Sequence, residues 1–209
     1  MLAIRRKTLF GMVLALGASL GLMAAGPEDG VKPGERAPDF TLTDTTGKEY
    51  KLSELLKNQS TTAVVLEWFN ADCPYVVRHY REKTMTELAA KYKEKGVIWL
   101  AVNTGAEGKQ GAGQARNQKA RDEWKIEYPI LLDPTGDTGR AYGAKTTPHM
   151  FVITPDGVVA YAGGIDNDSR GRMNDEEKIN YVDRALESVL SGSSVETPSA
   201  KPYGCSVKY

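Results

Sequence analysis

The run Ala63-Val-Val-Leu-Glu-Trp-Phe69, followed by Asn70-Ala-Asp-Cys73-Pro74 and a helical pattern, constrains the fold more than any other stretch. A short apolar run of β-branched and aromatic residues without alternation predicts a fully buried strand. Cys73 then falls where strand passes into helix. Pro74 suits the first helical position, because its missing N–H costs nothing there. A thiol at a helix N-terminus faces the positive end of the dipole, which favours the thiolate, the nucleophilic form. Redox chemistry at Cys73 is the first expectation. Asp72 beside it would raise the thiol pKa. The dipole is expected to dominate, with Asp72 turned to water.

Glu67 breaks the apolar run. A charge in the middle of a buried strand is costly unless it has a partner or a task. Burial raises a carboxyl pKa towards neutrality, so Glu67 can accept and return the thiol proton, directly or through water. The alternative is an edge position or a salt bridge with a lysine.

The chain has only two cysteines, Cys73 and Cys205, so their compartment decides how to read them. Arg5, Arg6 and Lys7 precede an uncharged apolar run from Leu9 to Met23, then Ala24-Ala25-Gly26 and Pro27. This is the pattern of a secretory signal peptide over residues 1–26. The alternative is an uncleaved membrane anchor. Either way the folded part is expected outside the cytoplasm, periplasmic or secreted, where disulfides persist. A Cys73–Cys205 bond would close a loop of about 130 residues, and as a static staple could contribute about 4–5 kcal/mol. The functional reading is a reversible pair, with Cys73 attacking and Cys205 resolving.

The rest of the chain supplies a frame. Phe40 and Leu42, then Tyr50 and Leu52, alternate around Thr46-Gly47 and predict a hairpin. Ser53 caps a short helix, Glu54–Lys57. Val76, Tyr80, Met85, Leu88 and Tyr92 predict one helix from Pro74 to about Lys95. Val97–Val102 is a second buried strand. The Gly-rich stretch 103–115 lacks a phosphate-loop ending and reads as a mobile surface loop. A helix over about Ala115–Trp124, a strand Tyr128–Leu132 and a short helix Thr138–Tyr142 follow. Met150–Ile153 and Val158–Ala162 flank the turn Pro155-Asp156-Gly157. Asp175–Leu190 is amphipathic, and 192–209 is a flexible polar tail carrying Cys205. With 27 basic and 27 acidic residues, the chain gives no support to a nucleic-acid role. Alternating β and α demands a mostly parallel sheet, so the class is α/β: a central mixed sheet flanked by helices, with an N-terminal β-hairpin.

That order, with Cys73 after the first core strand and Thr147-Pro148 before the late hairpin, resembles the thioredoxin fold. Over about residues 33–190 it is most similar to the redoxin, peroxiredoxin-like branch, whose start Gly34-Glu-Arg-Ala-Pro-Asp-Phe-Thr-Leu42 also resembles. Two departures stand out. Val76 occupies the second position of Cys-x-x-Cys, so local dithiol exchange is impossible. Leu66 and Asn70 occupy the Pro and Thr positions of the peroxiredoxin pattern. Gly204-Cys205-Ser206-Val207 resembles a C-terminal segment of a single-cysteine subgroup.

The resemblance implies an exported thiol–disulfide oxidoreductase with its domain at 33–191. Glu67 matches the buried acid of thioredoxins. A cis Thr147–Pro148 bond is implied against the Cys73 turn, leaving the Thr147 backbone to bind an extended peptide or thiol. Pro74 and Tyr75 would line the same site, with Tyr75 over the thiol. The implied partners are protein or small-molecule thiols and disulfides and an unidentified reductant, with a membrane only if the signal stays uncleaved. No cofactor or metal is implied. The alternatives are a thiol peroxidase, a domain with a fixed disulfide, and a copper carrier using Cys73, His149 and Cys205.

Overall fold

The computed structural model describes residues 30–209, so the signal peptide at 1–26 lies outside the described residues. The chain forms β1 (Thr41–Asp44), β2 (Glu49–Lys51), α1 (Leu52–Lys57), β3 (Ala63–Trp68), α2 (Pro74–Arg81), α3 (Thr84–Lys93) and β4 (Val97–Asn103). It continues through α4 (Gln114–Glu123), β5 (Ile130–Leu132), α5 (Asp137–Tyr142), β6 (Thr146–Thr147), β7 (His149–Ile153) and β8 (Val159–Gly163). It ends with α6 (Tyr181–Leu190) and β9 (Cys205–Ser206).

The main sheet runs β2-β1-β5-β4-β3-β7-β8. Strands β3, β4 and β5 are parallel, as the βαβ order requires. The N-terminal hairpin joins one edge antiparallel through β1, and the late hairpin β7-β8 joins the other side through β7. The mixed α/β sheet is the one expected. β3 is central and buried along its whole length, which explains a sequence without alternation. Its two faces serve two cores. Ala63 and Val65 face α2, α3 and α6, packing with Val76, Tyr80, Met85 and Leu186. Val64, Leu66 and Trp68 face Leu52 of α1 and Tyr142 of α5.

The helix expected from Pro74 to Lys95 is two helices. Lys83 takes a left-handed conformation with φ 60° between α2 and α3. The apolar stripe already carries the reason: the step from Tyr80 to Met85 is five residues, too far round a straight helix to keep one face. Breaking the chain at Lys83 returns Met85 to the core, where it is fully buried.

Three other boundaries differ. Ser53 does not cap α1; its amide donates to the Asp39 carboxylate at 2.9 Å, and the helix begins at Leu52. α6 starts at Tyr181 rather than Asp175, because the Asn180 side chain accepts from the Asp183 amide at 2.9 Å and fixes the N-terminus there. The stretch 103–115 is not a loose loop: Asn70 Nδ2 donates to the Gln110 carbonyl at 3.0 Å, tying it to the turn before Cys73. Gly111 sits so close that a Cβ there would strike the Asn70 amide.

The largest correction concerns the tail, which is an ordered strap. Ala162 and Gly164 amides donate to the carbonyls of Pro198 and Ala200. β9 then pairs antiparallel with β6, placing Thr146 opposite Ser206 and Thr147 opposite Cys205. Val207 is buried in the second core, and the Tyr209 hydroxyl donates to the Ala144 carbonyl at 2.8 Å. The backbone hydrogen bonds of a polar segment are met by a strand edge as well as by water, which is why polarity alone did not mark it as paired.

Candidate active site

Cys73 is the residue before α2, with extended backbone angles, and Pro74 occupies the first turn. Its side chain is fully buried in the first core. The Cys73 thiol donates to the Thr147 carbonyl at 3.0 Å. The Thr147–Pro148 peptide is cis, as the resemblance implied, and it brings this carbonyl onto the cysteine turn.

Cys205 reaches the same point from the other end of the chain. Both cysteines are free thiols here, and they lie within hydrogen-bonding contact of each other. Their environments push them apart. Burial alone would raise the Cys73 pKa, but hydrogen bonding at the sulfur from Thr147, the Cys205 thiol and the Val76 and Cys205 amides outweighs it and leaves the thiol below its ordinary range. Cys205 is pushed up to about 11, by its own burial and then by the neighbouring sulfur. One sulfur is set up to lose its proton and the other to keep it.

Asp72 does not point to water. Its carboxylate pairs with Arg116 at 2.7 Å, so the negative charge beside the thiol is balanced. Arg116 comes from α4 and also donates to the Ala71 carbonyl at 2.9 Å, bracing the turn. Neither Arg116 nor Gln110, which donates to the Asp72 carbonyl, carried a local sequence signal.

Glu67 is neither at an edge nor salt-bridged. It is fully buried on the face of β3 that also carries Ala63 and Val65. It accepts from the Tyr80 hydroxyl at 2.9 Å, Trp99 Nε1 at 3.0 Å and the Tyr128 hydroxyl at 3.2 Å. The two tyrosine oxygens are themselves 2.8 Å apart. These four contacts have three hydrogens between them when Glu67 is ionised; a proton on Glu67 supplies the fourth. Burial accordingly lifts the carboxyl to about 7. Among the described hydrogen bonds, none joins Glu67 to Cys73. The link runs through α2, where Tyr80 lies seven residues beyond the cysteine, about 10 Å of helix rise.

The Thr147 edge expected to take substrate is taken by β9. Gly204 makes this approach possible: its φ is 144°, and a Cβ there would collide with the Thr147 carbonyl. Tyr203 anchors the strap on its other side. Its hydroxyl bonds the Asp166 carboxylate and lies 3.0 Å from His79 Nε2. His79 is fully buried, and burial lowers its pKa to about 4. Tyr75 packs against the Tyr203 ring, at 6.0 Å between centroids. The Tyr203–His79–Asp166 cluster was missed by sequence reading, because its members are far apart in the chain and none belongs to a motif.

His149 does not join the thiols in a metal site. Its Nδ1 accepts from the Lys145 amide at 3.3 Å, and its ring packs on Phe151 at 4.7 Å. Among the described residues, no group of three or more His, Cys, Asp or Glu side chains could hold a metal ion. At the two departures from the peroxiredoxin pattern, Leu66 faces the opposite core and the Asn70 amide is committed to Asp72 and Gln110.

The fold and the cysteine turn define a thioredoxin-like oxidoreductase of the redoxin branch. Residues 33–162 match the AhpC/TSA family, and the chain belongs to it. It is 29% identical over 188 residues to the thiol-disulfide oxidoreductase ResA of Geobacillus kaustophilus, covering 90% of this chain and 95% of that one. A hypothetical protein of Sinorhizobium meliloti superposes with a TM-score of 0.76 at 25% identity, covering 86% of this chain and 95% of the other. A putative thiol:disulfide interchange protein DsbE of Chlorobium tepidum gives 0.52 at 31% identity, over 62% and 82%.

Proposed function

We propose that the chain is an exported thiol–disulfide oxidoreductase, periplasmic or secreted, in which Cys73 is the nucleophile and Cys205 the resolving cysteine. The observation that carries this reading is the β6–β9 pairing, which sets Cys205 opposite Thr147 and beside Cys73. It replaces the second cysteine that Val76 lacks. The domain at 33–191 supplies the nucleophile, and the segment 192–209 folds back to resolve it.

In the reducing direction the Cys73 thiolate attacks one sulfur of a substrate disulfide. That bond breaks, a mixed disulfide forms and the other half leaves as a thiolate. Cys205 gives up its proton and attacks the Cys73 sulfur. The Cys73–Cys205 disulfide forms and the second thiolate leaves. The substrate has gained two electrons and the cysteine pair has lost two. An external thiol reductant reverses the last steps.

Thr147 and Pro148 serve as the platform, here holding Cys205 where an extended substrate would otherwise lie. Pro74 and Tyr75 form the open flank. Glu67 acts as a proton store near neutrality at the base of α2.

Turnover of a disulfide substrate by three proteins tests the reading. Wild type is expected to turn over. Cys205→Ala is expected to stop at a trapped mixed disulfide on Cys73, visible by mass. Cys73→Ser is expected to do neither. A Cys73→Ser protein that still turns over would end the proposal.

A further inference from the structure

We propose that the cleft beside Pro74 and Tyr75 selects disulfide substrates that carry a carboxylate close to the sulfur. The inference rests on Cys73 as the exchanging thiol and names the substrate chemistry of that site. The cleft is an open space of about 470 Å³ lined by Pro74, Tyr75, Arg78, Ser169, Arg170 and Arg172. Pro74 and Tyr75 follow Cys73 directly, and Arg78 is five residues on, about 7.5 Å of helix rise. On its other side the cysteine is closed off by Thr147 and the strap. Cys73 itself is buried and does not line the cleft, which is the open surface that adjoins the cysteine turn.

Three guanidinium groups line this cleft and no carboxylate does. The loop that carries two of them is held in place. Arg78 donates to the Asp168 carbonyl at 2.9 Å, and Gly171 lies so close over Arg78 that a Cβ would collide with its guanidinium. The acids nearby are turned inward. The Asp168 carboxylate accepts the Arg172 and Met173 amides at 2.9 and 3.2 Å. Asp166 is spent on Tyr203 and Lys178. Both acids are buried, whereas Arg170 and Arg172 are exposed. Among the described residues, the side chains of Arg170 and Arg172 have no hydrogen-bond or ion-pair partner. An unpaired guanidinium is the side chain best shaped for a carboxylate, which it can grip with two parallel hydrogen bonds. Several in one cleft also raise the local concentration of anions, and with it the rate of encounter.

A charge series tests this with the full-length protein. The reduced enzyme is mixed with cystamine, 2-hydroxyethyl disulfide or 3,3′-dithiodipropionate, which are cationic, neutral and dianionic. Each rate is divided by that of 2-mercaptoethanol at equal thiolate concentration, which removes the intrinsic reactivity of the disulfide. The normalised rate is expected to rise along the series, with dithiodipropionate about tenfold or more above cystamine at low salt. The ratio is expected to shrink in about 1 M salt, where screening is strong. It is also expected to fall in the Arg170→Gln/Arg172→Gln double variant, whose exposed side chains make no contact the fold needs. Equal normalised rates for the three disulfides, or a preference unchanged in the double variant, would overturn the proposal while leaving exchange at Cys73 standing. No reaction with any of the three, or equal rates in Cys73→Ser, would instead remove the exchange reading beneath it.

Discussion

Cys205 stands directly opposite Thr147 in a two-stranded ladder, and the Thr147 carbonyl accepts the thiol hydrogen of Cys73 at 3.0 Å. One residue thus touches both sulfurs' surroundings, although the cysteines are far apart in sequence. In the proposed mechanism the ladder does for this chain what a second cysteine in the same helix turn would do elsewhere. Its geometry also ranks the two thiols: Cys205 is raised first by its own burial, and the thiol hydrogen bond that favours the Cys73 thiolate disfavours ionisation of Cys205 further.

That ranking predicts two separate thiol titrations. Thiolate absorbance near 240 nm should rise in one step below pH 9 and a second near pH 11, each worth one thiolate. The steps belong to the coupled pair. Cys205→Ala removes a donor to the Cys73 sulfur, so the remaining step should move to higher pH. A single two-thiolate step near 9 would show that the environments do not differ.

Gly204 carries the strap past Thr147 at φ 144°, so Gly204→Ala should lift it. The strained backbone and the collision together should cost about 1–3 kcal/mol. The sharper readout is chemical: closure of the Cys73–Cys205 disulfide under mild oxidant should slow. Unchanged closure would mean that Cys205 reaches Cys73 without β9.

Tyr203→Phe leaves the Asp166 carboxylate and the His79 ring without their shared hydroxyl. An unsatisfied buried group costs about 1–3 kcal/mol, more for a charged one. Because the loss falls on the strap, iodoacetamide should label Cys73 faster than in wild type. Equal labelling rates would show that Tyr203 does not latch the tail.

Glu67 predicts a pH dependence of stability with a definite sign. Its pKa is raised from 4.5 to about 7, so between those values the native state binds more protons than the unfolded chain. Its contribution is fully present below about pH 4.5 and is lost as pH rises to about 7, a change of up to about 3 kcal/mol. His79, lowered to about 4, works in the opposite direction: its contribution is lost as pH falls from 6.5 towards 4. Glu67→Gln keeps a hydrogen for the tyrosine pair and carries no charge. Urea midpoints for this variant should gain on wild type as pH rises from 5 to 8. A difference that stays constant with pH would place the proton elsewhere.

Much of this was legible in the sequence where signals are local. The unbroken apolar run of β3, the Cys73–Pro74 turn and the hairpin at Pro155–Gly157 each follow from a few neighbouring residues. Glu67 stood out because a single charge interrupted an apolar stretch. The break at Lys83 was present in the spacing of Tyr80 and Met85 but was hidden by an otherwise good helical stripe. The strap was not legible. β9 is two residues long, its partner is the equally short β6, and its polar composition is that of a free tail. The Arg116–Asp72 pair and the Tyr203–His79–Asp166 cluster have no periodicity at all, since only the fold brings their members together.

The reduction potential of the Cys73–Cys205 pair tests the central claim most directly, and thiol trapping across a series of redox buffers measures it. Reversible exchange predicts a potential above about −300 mV, within reach of ordinary thiol reductants. A value far below about −300 mV would mark a resistant structural disulfide and would contradict the account.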